Sequence, residues 1–161
     1  MKIGIIVHSY TGNTLSVAQR LKEELMKAGH SVDLNKVTAV NEDQTEAGKI
    51  QLNSIPETAA YDALIFGAPV RGFALSPVMT AYLMQLESIS GKKVACFLTQ
   101  FFPYPSMGGI RAIEQMKGLC NFKGAKVCET GIVNWSSIHR GKKINNVVAG
   151  FSKTINGKGI C

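Results

Sequence analysis

Ile3-Gly4-Ile5-Ile6-Val7-His8-Ser9-Tyr10-Thr11-Gly12-Asn13-Thr14 is the stretch on which the fold turns. Its opening apolar run, Ile3 to Val7, is too short for a secretory leader, and no small-residue cleavage site follows it. It therefore reads as a buried strand. Beyond Thr14, the residues Leu15, Ala18, Leu21 and Leu25 fall on one face of a helix, and Gly29 supplies a left-handed stop. The polar turn Ser9 to Thr14 thus joins a strand end to a helix start. The first turn of a helix leaves backbone N–H groups without acceptors and carries roughly half a positive charge. A loop wrapped around such a terminus holds a phosphate without any lysine or arginine. Here the hydroxyls of Ser9, Thr11 and Thr14 add donors, and Gly12 lets the backbone approach closely. Helix capping alone would need only one such side chain. Neither G-x-x-x-x-G-K-[ST] nor G-x-G-x-x-G is present, so the turn is neither a P-loop nor a dinucleotide fingerprint.

Outward from this point, short apolar runs alternate with segments of helical period, the pattern of βαβ units and a mostly parallel sheet. Five strands are expected: Ile3 to Val7, Ser31 to Val37, Ala63 to Gly67, Val94 to Thr99 and Ala125 to Val133. In the second, Val32 and Leu34 alternate with polar residues as an edge strand would; the fourth and fifth are apolar enough to be covered on both faces. Ser76-Pro77 starts a helix that carries Met79, Tyr82, Leu83 and Leu86. Ile110, Ile113, Met116 and Cys120 mark another, and Ile144, Val147, Val148, Phe151 and Ile155 a last one that stops near Gly157. The segment from Thr38 to Tyr61 is polar, contains Pro56 and shows no helical stripe, so the second crossover reads as mostly loop. No repeat or linker interrupts the pattern, and residues 1–161 read as one domain. A phosphoacceptor receiver shares this alternation but needs an aspartate at the end of the third strand, where this chain has Phe66-Gly67.

Composition narrows the setting. A chain of 161 residues with 45% apolar and 18% charged content buries roughly two-thirds of its unfolded surface. No apolar run approaches the roughly 20 residues of a membrane-spanning helix, so membrane insertion is not expected. The net charge of +7 suits an acidic partner, but Lys92-Lys93 and Lys142-Lys143 are doublets rather than a basic tract, and no nucleic-acid partner is expected. Cys96, Cys120, Cys128 and Cys161 are widely spaced without a C-x-x-C pair, which fits reduced thiols in a cytoplasm and no metal site. Cys96 and Cys128, inside apolar strand runs, read as buried small hydrophobes. His8, His30, His139 and Trp135 stand at no catalytic spacing, and no catalytic residue is assigned.

Ser9-Tyr10-Thr11-Gly12-Asn13-Thr14, followed by Ala18 and Leu21, closely resembles the flavodoxin signature. One departure is Val7, where that family usually has an aromatic residue. The resemblance implies an α/β three-layer sandwich whose five parallel strands run in the order 2-1-3-4-5, with FMN as cofactor and its phosphate in the Ser9 to Thr14 turn. In such a sheet the ligand sits beyond the C-terminal strand ends where strand order reverses, so the loops after the first, third and fourth strands should meet. The second of these contains Ala68, Pro69, Val70, Arg71, Gly72 and Phe73; the third contains Thr99, Gln100, Phe101, Phe102, Tyr104, Met107, Gly108 and Gly109. All fourteen are expected to bind the cofactor. Aromatic rings on a solvent-facing loop gain most if something flat packs against them, and the flavin ring is flat. Arg71 near the N1 and O2 edge of the flavin would ease its full reduction. The implied function is electron transfer, with NAD(P)H:quinone or FMN reduction as the alternative. The implied partners are acidic or iron–sulfur redox proteins, with the chain a monomer or weak dimer.

Overall fold

The β-branched runs form strands and the amphipathic stripes form helices in the computed structural model, which describes residues 1–157. In chain order the elements are β1 (Lys2–Val7), α1 (Asn13–Lys27), β2 (Ser31–Lys36), β3 (Thr38–Ala39), a 3₁₀ turn (Ala47–Lys49), β4 (Leu52–Ser54), β5 (Ala63–Arg71), β6 (Ala74–Leu75), α2 (Pro77–Gln85), β7 (Lys93–Gln100), α3 (Gly109–Phe122), β8 (Lys126–Asn134) and α4 (Arg140–Ile155). The principal sheet runs β2-β1-β5-β7-β8, all parallel, with β6 an antiparallel addition to β5. Strand order reverses at β1, whose two neighbours are β2 and β5, and this places the switch point between β1 and β5.

Helices cover both faces because every crossover between parallel strands must pass over one of them. Val17, Ala18 and Leu21 of α1 and Phe151 and Ile155 of α4 pack on Ile3, Ile5, Ile65 and Phe97. On the other face Met79 and Tyr82 of α2 and Ile113 and Met116 of α3 pack on Ile6, Leu64, Phe66 and Cys96. Each fully buried side chain of this size stabilises the fold by about 1.5–3 kcal/mol relative to exposure. The α2 start is built as its sequence requires, with Pro77 in the first turn and the Met79 N–H donating to Ser76 Oγ at 3.3 Å. Gly29, with φ 92°, turns the chain out of α1.

Four details depart from the sequence reading. The third strand continues to Arg71 and folds back as β6, so residues 68–75 form a hairpin rather than an open loop. Its two-residue turn, Gly72 and Phe73, has φ of 58° and 61°, the left-handed pair that matches the twist of a hairpin. The second crossover has no α-helix, as its composition suggested, yet it contains the antiparallel pair β3 and β4, which closes the core over Val37, Ala39 and Ile50. The last strand, β8, is half-exposed over most of its length because it is an edge strand, with a neighbour on one side only. Cys96 and Cys120 are buried thiols, whereas Cys128 is half-buried and disulfide-bonded, so the expectation of reduced, buried cysteines does not hold there. The reading of Cys161 lies outside the described residues.

Candidate functional site

The C-terminal ends of β1, β5 and β7 open onto a cleft of about 560 Å³, a size typical of small-molecule and cofactor sites. Tyr10, Thr11, Asn13 and Thr14 line it from the turn after β1, Pro69, Val70 and Arg71 from the end of β5, and Thr99, Gln100 and Phe101 from β7 and beyond. Trp135, just past β8, completes the wall.

The turn after β1 is held from inside. Ser9 Oγ accepts the Leu15 N–H at 3.2 Å, and the buried hydroxyls of Thr14 and Thr99 are hydrogen-bonded at 2.8 Å, which ties the start of α1 to the end of β7. Two of the three expected phosphate donors therefore also have structural partners. Ser9 keeps its own O–H to donate. Gly12 precedes α1 with φ 91°, and a Cβ there would meet nothing within 4 Å. The N–H groups of Asn13 and Thr14 belong to the first turn and have no helix carbonyl to reach. An open space facing a helix N-terminus with two amides and a hydroxyl row is a donor set for an oxyanion.

On one flank, Arg71 is fixed by several partners at once. It donates to the Glu42 carbonyl at 2.6 Å and to the Tyr10 hydroxyl at 3.4 Å, stacks 4.5 Å from the Tyr10 ring centre, and lies 3.7 Å from the Asp43 carboxylate. Tyr10 in turn donates to Asp43 at 2.5 Å, which raises its phenol above the usual range. Beneath this group His8 is buried, with Nδ1 2.9 Å from Ser76 Oγ and Nε2 2.7 Å from Glu42 Oε2. Ser76 donating to Nδ1 leaves Nε2–H to donate to Glu42, so the neutral imidazole is fully satisfied. Burial, outweighing the Glu42 carboxylate, lowers the His8 pKa. The loop bearing Glu42 and Asp43 is thereby pinned to β1 and β5.

The opposite flank is aromatic. Gln100 Nε2 donates to the carbonyls of Phe102 and Tyr104 at 2.9 and 2.6 Å, and Asn134 Nδ2 donates to Phe102 at 3.0 Å. These bonds shape the loop so that Phe101 reaches the cleft. Gln100 Oε1 is buried and has no partner among the described residues, and an unpaired buried acceptor is a place for a bound donor or water. Phe102 instead stacks on Phe73, with ring centres 5.8 Å apart and planes within 7°.

Several expected residues stand apart from the cleft lining. Ala68 is fully buried in the core, Gly72 and Phe73 form the hairpin tip, and Tyr104 is exposed beyond the lining. Phe102, Met107, Gly108 and Gly109 support the loop; Gly108, at φ 100°, lies where a Cβ would sit 2.7 Å from the Phe73 backbone. Sequence reasoning missed His8, Glu42 and Asp43 as parts of this end, whereas Trp135, just past a strand, was expected to pack at this end of the sheet and does. Glu42 and Asp43 lie in a polar segment with no periodicity to mark them.

An open parallel sheet with a cleft at its switch point defines a doubly wound α/β protein. A flavodoxin-domain family model matches residues 4–104, and the chain belongs to the flavodoxin family. Among solved structures it resembles oxidised flavodoxin 2 from Bacillus cereus at 23% identity, covering 96% of this chain and 99% of that one with a TM-score of 0.67. A cysteine-to-serine variant of Pseudomonas aeruginosa flavodoxin gives 18% identity, 98% and 100% coverage and a TM-score of 0.68. Two-electron reduced Megasphaera elsdenii flavodoxin gives 22%, 94% and 98%, and 0.61. Membership of this family implies a flavin cofactor, and the donor set, the flat aromatic flank and the cleft size fit one. No helix of the described residues is long and apolar enough to cross a membrane.

Proposed function

We propose that the chain is an FMN-binding electron-transfer protein that acts as a single domain. The observation that carries this reading is the meeting, in one cleft, of an acceptor-free helix N-terminus with the aromatic and amide groups at the ends of β5 and β7. Bound FMN would supply one- or two-electron redox chemistry. The protein's part is to bind, orient and shield. The amides and hydroxyls of residues 9–14 would hold the phosphate, while Phe101 and Trp135 on one flank and Tyr10 with Arg71 on the other would bound the ring. Arg71 offers a donor toward an electron-rich edge. The partial neutralisation of Arg71 by Asp43 weakens, without cancelling, its pull on added electrons.

A carrier needs no substrate wall beyond the cofactor. Its partners would be acidic or iron–sulfur redox proteins, met by a monomer or weak dimer. A cytoplasmic setting accompanies this reading. Anaerobic stopped-flow mixing of the FMN-loaded protein with NADPH and NADH tests the role. A carrier stays yellow until a helper reductase is added; rapid bleaching by either nucleotide alone would show an NAD(P)H:quinone or FMN reductase instead.

A further inference from the structure

The end of the sheet opposite the first cleft carries a second concavity, of about 420 Å³, between the segment that leads into β5 and the end of α2. Residues 55–59 stand before β5 and residues 85–88 before β7, so both walls belong to the N-terminal strand ends. The nine residues of β5, at about 3.3 Å each, put roughly 25–30 Å between this concavity and the cleft beyond the C-terminal ends. The two are separate. The second is also held in shape: the Tyr82 hydroxyl donates to the Pro56 carbonyl at 2.7 Å, and Lys92 Nζ donates to the carbonyls of Ala59 and Tyr61 at 3.3 and 2.5 Å. These bonds fasten the segment before β5 to α2 and to the start of β7.

Its lining is part apolar and part acidic. Ile55, Pro56, Ala59 and Leu86 supply the apolar part, and Ile55 is left 55% exposed. Glu57 and Glu87 supply the charge, and neither makes a hydrogen bond or ion pair among the described residues. Cations are not scarce in this chain, which has 18 lysines and arginines to 11 aspartates and glutamates. Asp33, Asp43, Glu24, Glu46 and Glu114 each lie within 4.0 Å of one. Two carboxylates that share a concavity and lack a cation therefore stand out. The end of α2 adds to their field, since its last turn contains no basic residue and a helix carbonyl end carries roughly half a negative charge. Lys123, from beyond α3, takes the Met84 carbonyl at 2.8 Å and pairs with neither carboxylate.

We propose that this concavity is a binding site for a small aliphatic amine, its ammonium drawn to Glu57, Glu87 and the carbonyl end of α2 and its chain laid against Ile55, Pro56 and Leu86. The volume lies within the range of small-molecule sites. An anion would meet two carboxylates and the negative end of a helix dipole. A divalent cation would find no group of three ligating side chains among the described residues. An alkylammonium suits both parts of the lining, with three donors at one end and an apolar remainder. The site goes beyond the electron-transfer reading and does not rest on it.

The test uses amide NMR of the full labelled chain, with and without FMN, titrated with n-hexylammonium. Saturable shifts are expected at residues 55–59 and 82–88 in both forms, half complete at roughly millimolar concentration. n-Hexanoate, of the same length and opposite charge, should bind roughly tenfold more weakly or worse, and n-butylammonium severalfold more weakly for its two missing methylenes. Glu57→Gln with Glu87→Gln should weaken hexylammonium binding roughly tenfold or more, whereas Glu23→Gln with Glu24→Gln, an equal charge change on α1, should alter it by less than about twofold. Ala59→Trp, which fills the concavity and leaves its charges in place, should abolish the saturable shifts. The proposal is overturned if the shifts do not saturate or lie elsewhere, if hexanoate binds as tightly, or if both pairs of substitutions weaken binding equally. FMN uptake, read separately from absorbance, should be the same in the Glu57 and Glu87 variant as in the wild type, so failure of this site and failure of the cofactor reading are told apart.

Discussion

Gly12 holds a backbone angle that other residues reach only at a cost, and it leaves open the space an anion would enter. Gly12→Ala should destabilise the fold by about 1–2 kcal/mol through the left-handed angle. It should weaken FMN binding further, roughly tenfold or more, because the new methyl competes with an oxyanion at the amides. Urea unfolding without FMN and a binding titration separate the two. His8 offers a second check. The unfolded imidazole titrates near its ordinary 6.5, while burial holds the folded one lower. Between those values the unfolded chain binds more protons, so this contribution to stability is complete above about pH 6.5 and declines as pH falls toward the folded value. Urea midpoints measured from pH 8 to pH 5 should fall more steeply for the wild type than for His8→Gln. The turn from β1 into α1 was legible because its polar residues stand together between an apolar run and a helical stripe. The His8–Glu42 contact was not, since thirty-four positions separate its members.

Elements succeed or fail on the space between them. Gly67 of β5 pairs with Phe97 of β7, and a Cβ on Gly67 would meet the Phe97 ring at 2.2 Å; Gly4 of β1 does the same for Tyr61 at 2.6 Å. Phe97 is fully buried and packed edge-on against Phe151, so its ring has no free direction to yield. Gly67→Ala should therefore destabilise by about 1–3 kcal/mol, read as a lower thermal midpoint, by overpacking rather than by backbone strain. Ser76→Ala should lower stability by about 0.5–2 kcal/mol through the lost α2 cap, and more because it strips a partner from buried His8. Helix starts were readable because caps and apolar stripes are local. The β5–β6 hairpin was hidden, because Gly72-Phe73 is an unusual left-handed pair, stabilised by the stacking of Phe73 on Phe102 from another loop. Likewise β3 and β4 are two and three residues long, too short to show a period.

At the scale of the molecule, the alternation of strands and helices declared the parallel sheet, and the location of its switch point followed from the strand order. What the alternation could not convey was how charge is apportioned around the cleft, with acids on the second-crossover side and cations on the α4 side. Arg71→Ala should make bound flavin harder to reduce, seen as a more negative midpoint in a redox titration, since a cation near the ring favours the electron-rich form. Electron transfer by this protein requires that the cleft take up FMN. The decisive measurement is titration of the cofactor-free protein with FMN, followed by flavin fluorescence and absorbance. Saturable quenching at one FMN per chain, leaving a yellow protein with bands near about 375 and 450 nm, is the predicted result. Fluorescence that stays that of free FMN at every protein concentration would contradict the account.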